Sequence, residues 1–230
     1  MWVVVPLAGP DFVLANGRVK ATLDLDGGPL LKKTLESRPW AQRISPEKHV
    51  FVLIDCPESR GFAQTELASW YPKAQVIFLS NYTRGAAISA LAGLTACAGT
   101  EEPLIIDLAD ILYTSHLDPA GFLKQNPECG GVALTFESDA PQYSYLRCDA
   151  EGVFVEAAEK RVISSQASAG TYVFSGCSMY LKAVAHALKN ESTQTYNGLF
   201  YVCPLFNGVR AQGRSVVLSP VSDVVDIKTL

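Results

Sequence analysis

No stretch of this sequence reaches 18 uninterrupted apolar residues, so no membrane-spanning helix is expected. No run of lysine or arginine occurs. The net charge is −4 and the pI is near 5.4, which argues against holding nucleic acid by electrostatics. Histidine is scarce: His49, His116 and His186 stand far apart, without zinc-ligand spacing. Cysteine occurs at 56, 97, 129, 148, 177 and 203, never as C-x-x-C. Cys56, Cys97 and Cys203 have apolar neighbours. The set reads as buried free thiols of a reducing compartment, hence the cytoplasm. The opening "MWVVVPLAG" lacks the charged start of a secretion signal and reads as a first strand. Linkers, repeats and low-complexity tracts are missing too. One domain over 1–230 is expected, and a chain of 230 residues can bury a substantial core.

What is present is alternation. Val3–Leu7 is a continuous apolar run, as in a strand covered on both faces. "GGPLLKKTLESR" turns at Gly-Gly-Pro and continues as a helix with Leu30, Leu31 and Leu35 on one side. "HVFVLID" and "AQVIFLS" predict strands, with the helix-like "FAQTELASWY" between them. "TRGAAISALAGLTACAG" predicts a tightly packed helix. "PLIIDLADIL" (103–112) predicts a fourth strand ending in acid. The second half is richer in strands. "QYSYLRCDAEGVFVEAAEK" is two strands about the turn Asp149–Gly152. "SMYLKAVAHALKN" is a helix with the stripe Leu181, Val184, Ala185 and Leu188. The expected fold is α/β, a single Rossmann-like domain. Its sheet is mixed and mainly parallel, with helices on both faces and an antiparallel portion.

In such a sheet, ligands bind beyond the carboxyl ends of the strands. Three segments deliver polar groups there: the Gly9 loop, the turn Thr83–Gly85, and Asp107 with Asp110. Thr83 serves equally as the cap of the helix that follows it. Carboxylates ending an apolar strand suit Mg²⁺, and they also suit turns. Asp226, in "VVDIKT", needs a partner among apolar residues: a metal, Lys228 or a backbone N–H.

"VVVPLAG", "VKATLDLDGGPLL", "TRGAAISAL", "PLIIDLADIL", "QYSYLRCDAEGVFVEAAEKRVISSQASAGTYVF" and "FYVCPLFNGVRAQGRSV" occur in this order and cover most of the chain. Together they resemble the sugar-1-phosphate nucleotidyltransferases, especially the short branch associated with capsule and surface polysaccharides. The resemblance implies a GT-A-like fold, an NTP and a sugar 1-phosphate as partners, and Mg²⁺ or Mn²⁺ as cofactor. It implies a nucleotide-binding half, 1–112, and a sugar-phosphate half, 113–230. A homo-oligomer is compatible with it. Leu7, Ala8 and Gly9 match the loop that carries base and phosphates, and Gly85 and Ala86 the base-contacting helix start. Lys20 matches the lysine of the family's Pro-Lys-Pro signature, with Val19 and Ala21 in place of the prolines. Asp110 and Asp226 match the metal-binding aspartates. Tyr143 and Ser144 match the sugar-side strand. Glu159 matches the ligand of sugar hydroxyls, Lys160 that of the sugar phosphate, and Gly170 a glycine facing the sugar.

One stretch departs from the pattern. Gly9 is followed by Pro10, which has no N–H, and by Asp11, a negative charge where a triphosphate is expected. Val13 stands near the family arginine's place, and Arg18 would have to reach back to replace it. Two alternatives follow. One is a catalytically degenerate relative that binds a sugar phosphate or nucleotide sugar in a regulatory role. The other is a GT-A glycosyltransferase using Asp107 and Asp110 as its acidic metal motif.

Overall fold

The computed structural model describes residues 1–227; Lys228, weighed above as a partner of Asp226, lies outside them. The first half alternates as expected. Strand β1 (Trp2–Pro6) leads through a long loop to helix α1 (Leu30–Glu36), then to β2 (His49–Ile54). Helix α2 (Pro57–Phe62) runs through a wide π-turn into α3 (Ala68–Trp70), and β3 (Gln75–Leu79) follows. Helix α4 (Ala86–Gly93) precedes β4 (Leu104–Asp107) and β5 (Ile111–Thr114). Helix α5 (Pro119–Gln125) then leads to β6 (Cys129–Glu137), β7 (Ser144–Cys148), β8 (Phe154–Glu159) and β9 (Gln166–Phe174). The chain continues through α6 (Cys177–Lys189), α7 (Glu191–Gln194) and α8 (Leu205–Ala211) to β10 (Ser215–Pro220) and β11 (Ser222–Asp226).

The main path of the sheet is β10-β6-β9-β4-β1-β2-β3. Only β9 on that path runs against the others. β7 and β8 form a hairpin joined to β9 at Tyr145–Ala167, and β5 and β11 pair separately. The period-2 geometry of a strand explains two cores. Val4, Val50 and Val52 face one layer, built on α4, α6 and α8. Val3, Val5, Phe51 and Leu53 face the other, built on α1, Trp40 and Phe62. Both faces are therefore apolar, which is why these strands read as uninterrupted hydrophobic runs.

Two expectations are corrected. The predicted strand 103–112 is not continuous: β4 stops at Asp107, and Ala109 takes a left-handed conformation, φ 53°. The stripe predicted for α6 is also displaced. Leu181 and Leu188 are about half exposed, and Tyr180, Ala183, Val184 and Ala187 are buried. The reason is the crossing with α8. A Cβ on Gly208 would lie 2.7 Å from the Ala183 Cα, so only small side chains fit between the helices. Helix α4 obeys the same constraint: a Cβ on Gly93 would lie 2.5 Å from Val4.

Candidate functional site

At the carboxyl ends of β1 and β4 the sheet opens into a cavity of about 800 Å³. Leu7, Ala8, Gly9, Lys20, Gly85, Ala86, Asp110, Tyr143, Ser144, Glu159, Lys160 and Gly170 all line it. Asp226 is not in the wall, but Ile227 is, and Tyr143 Oη donates to Asp226 Oδ2 at 2.8 Å.

The departing loop does not fill this space. Leu7 N–H donates to Val52 O at 2.8 Å, continuing the sheet. The chain then folds into a tight hairpin. Lys20 N–H bonds Phe12 O, Leu14 N–H bonds Arg18 O, and Val13 bridges Val19. Its anchor is Phe12, 5% exposed and edge-on to Phe62. Arg18 does not reach back. It lines a separate shallow groove with Glu58, Thr65 and Glu66. Asp11 does face the cavity, and its carboxylate folds over Gly9, where an added Cβ would meet Oδ1 at 2.7 Å. Its Oδ2 stands 3.6 Å from Lys20 Nζ. The exposed Asp11 thus already faces the lysine that the resemblance assigns to phosphate.

Asp110 owes its position to a buried ion pair. Arg38 Nε and Nη2 donate to the two oxygens of Asp107 at 2.8 and 3.0 Å, with both side chains 1% exposed. Nη2 also reaches Ile111 O, and the guanidinium lies over the Tyr113 ring, whose hydroxyl bonds Thr171. Burial opposes charge on Arg38, but Asp107 outweighs it, and the guanidinium is held above its ordinary pKa. Asp107 Oδ1 accepts Ala109 N–H at 2.9 Å, which fixes the left-handed turn and directs Asp110 to the cavity. Asp107 is thus committed to Arg38 and to the turn, and is not a cation ligand. Gly170, φ 75°, faces Asp110 because any Cβ there would lie 2.5 Å from its Oδ1.

The β5–β11 ladder brings the second aspartate close. Asp226 is opposite Ile111, and Ile227 N–H donates to Asp110 O at 3.1 Å. Two acidic residues 116 positions apart in sequence thereby become cross-strand neighbours. Among the described residues no cluster of three or more His, Cys, Asp or Glu is arranged to hold a metal.

The far wall comes from the β7–β8 hairpin. Ser144 is opposite Glu159, and its hydroxyl donates to Glu159 Oε2. Lys160 is left-handed, φ 48°, with its N–H on Tyr143 O. That twist carries Nζ over the rings of Tyr196 and Tyr201, 5.5 and 5.8 Å from their centroids. Gly85, φ 103°, begins α4 pressed against Phe200 O, which leaves no space for a Cβ. Thr83 is not the cap of α4: its hydroxyl bonds Gly85 O and Ser89. Arg84 turns away to Glu191 and Gly198. Sequence reasoning missed Arg38, Tyr172, Tyr82 and Tyr201. The last three line the cavity; Tyr172 and Tyr201 lie within matched stretches that assigned them no role, Tyr82 lies outside any, and Arg38 acts only across the fold.

No protein-family model matches the sequence, and no curated protein matches it. Solved structures do. A nucleoside-diphosphate-sugar pyrophosphorylase from Vibrio cholerae RC9 is 19% identical, with a TM-score of 0.81 over 98% of this chain and 95% of that one. An inositol-1-phosphate CTP transferase from T. maritima is 16% identical, with a TM-score of 0.65 over 97% and 86%. A UDP-glucose pyrophosphorylase complexed with UDP-glucose is 18% identical, with a TM-score of 0.63 over 96% and 90%. At these identities the likeness establishes the fold.

Proposed function

We propose that the chain transfers a nucleotidyl group from an NTP to a sugar 1-phosphate, releasing pyrophosphate. The observation that carries the reading is the open cavity, in which Lys20, Asp110 and the adjacent pair Glu159–Lys160 converge from three distant segments. The chain's likeness in fold to nucleotide-sugar pyrophosphorylases and to an inositol-1-phosphate CTP transferase supports it.

The chemistry asks little of the protein. The attacking sugar-phosphate oxygen is already anionic, so no protein nucleophile or base is required. The work is alignment and neutralisation of charge. In this reading Lys20 receives the triphosphate, and Lys160, steadied on Tyr196 and Tyr201, receives the sugar phosphate. Glu159, oriented by Ser144, accepts sugar hydroxyls. The start of α4, where Gly85 packs tightly on the Phe200 backbone, lines the cavity with Ala86 and is the part of the wall that receives the base. Mg²⁺ takes oxygen donors and commonly needs only one or two carboxylates beside substrate phosphates. Asp110 and Asp226, made neighbours by β5 and β11, fit that donor set. Such an ion would draw charge from the α-phosphate.

The test is pyrophosphate release from the purified chain with Mg²⁺ and a panel of NTPs and sugar 1-phosphates. Turnover is expected with at least one combination. It should fall on the order of 100-fold or more in Asp110→Ala. Silence across the panel would reject the reading.

A second reading rests on Asp11, 3.6 Å from Lys20. It is a relative that binds a sugar phosphate or nucleotide sugar without turnover. Tight Mg-NTP binding by calorimetry would exclude it. The glycosyltransferase reading loses its acidic pair, because Asp107 is spent on Arg38.

A further inference from the structure

All six cysteines are free thiols, and two of them touch. Cys97 Sγ and Cys177 Sγ are 2.7 Å apart, 80 residues separated in sequence. A disulfide bond is about 2.0 Å, so only a small approach separates this contact from a bond. Both residues are buried, at 0% and 3% exposure. Cys97 ends the 3₁₀ turn Leu94–Ala96 that follows α4, and Cys177 is the first residue of α6. Cys129 and Cys148 lie in β6 and β7, and Cys56 and Cys203 in the turns before α2 and α8.

We propose that Cys97 and Cys177 form a dithiol–disulfide pair, oxidised by a low-molecular-weight disulfide. The proposal stands independently of the catalytic reading. Cys177 is the attacking sulfur. It occupies the N-terminal end of a 13-residue helix, where a thiolate is favoured. The hydrogen bond from Cys97 also draws its pKa below the ordinary thiol value. The Cys177 thiolate attacks one sulfur of the small disulfide, forming a mixed disulfide and releasing one thiolate. Cys97 then gives up its proton, and its sulfur attacks Cys177 Sγ, expelling the second thiolate. Two protein thiols are oxidised by two electrons, and one small disulfide is reduced to two thiols. Access comes by local opening of the turn after α4, where Ala98 and Gly99 are exposed.

The new bond would close a loop spanning β4 to β9, which carries Asp110, Tyr143, Glu159, Lys160 and Gly170. Constraining a loop of that length in the unfolded chain should raise Tm on the order of 10 °C.

The experiment equilibrates the reduced full chain with oxidised and reduced glutathione, then denatures it, alkylates it and maps the peptides by mass. The expected result is a cross-linked Cys97–Cys177 peptide pair, loss of two alkylation adducts and a higher Tm. Cys97→Ala and Cys177→Ala should each abolish the cross-link and the Tm rise. Recovery of Cys97 and Cys177 both alkylated under strongly oxidising buffer overturns the proposal. So does glutathione retained on either residue, or pairing of either with a different cysteine. The wild-type mass map decides the matter even if a variant fails to fold.

Discussion

Asp11 decides what charge the Gly9–Lys20 loop presents to the cavity. Pro10 and Asp11 do not block the cavity, because Phe12 anchors the segment and the hairpin to Lys20 closes away from it. What Asp11 changes is charge. Its carboxylate holds Lys20 at 3.6 Å, as an incoming phosphate oxygen would. The pair is worth little in itself, since Asp11 is 74% exposed and solvent screens it. Its effect on an anionic ligand is competition plus repulsion. Asp11→Asn should therefore tighten Mg-NTP binding by about 1 kcal/mol, roughly fivefold. Calorimetry on wild type and variant checks this. Unchanged or weaker binding would mean that Asp11 turns aside, or contributes to the site, when nucleotide arrives.

At the scale of elements, the turn between β4 and β5 matters most. An alanine in the left-handed region costs about 1 kcal/mol and persists only where the surroundings hold it. Here Asp107 accepts the Ala109 N–H, and Arg38 from beyond the end of α1 holds Asp107. Removing one member of such a buried pair strands the other charge. Arg38→Met should lower unfolding stability by about 3–5 kcal/mol, read from the urea midpoint. The double variant Arg38→Met with Asp107→Leu should recover part of that loss, because no charge is then left buried. A single variant within about 1 kcal/mol of wild type would show that the pair does not hold the turn.

At the scale of the molecule, the strand that runs against the others joins the two halves. β9 comes from the second half, yet it pairs with β4 of the first, Asp107 opposite Thr171. It also supplies Gly170, against Asp110. Residues 1–112 alone would keep β1 to β4 but expose the β4 edge and lose α6 and α8 from one core. That fragment is expected to show no cooperative thermal transition by circular dichroism. A sharp transition would mean that residues 1–112 are an independent folding unit.

The alternation of apolar runs and helical faces was sufficient for the α/β class, because side-chain period follows directly from backbone geometry. Gly9 and Asp110 could be read as the ends of apolar runs, whereas Lys20 and Glu159–Lys160 came only through the family resemblance; the structure puts all five residues in the cavity wall. Spacing has no access to contacts between distant segments. The Arg38–Asp107 pair, the break of the fourth strand and the Asp11–Lys20 contact exist only once the sheet brings those segments together. So does the meeting of Cys97 with Cys177. The buried face of α6 belongs with them: leucine periodicity pointed one way, and the close approach of Gly208 to Ala183 chose another. Local sequence determined which elements form and which residue types stand at their ends. Tertiary packing decided which charges meet, because at short range burial and steric fit outweigh any pattern along the chain.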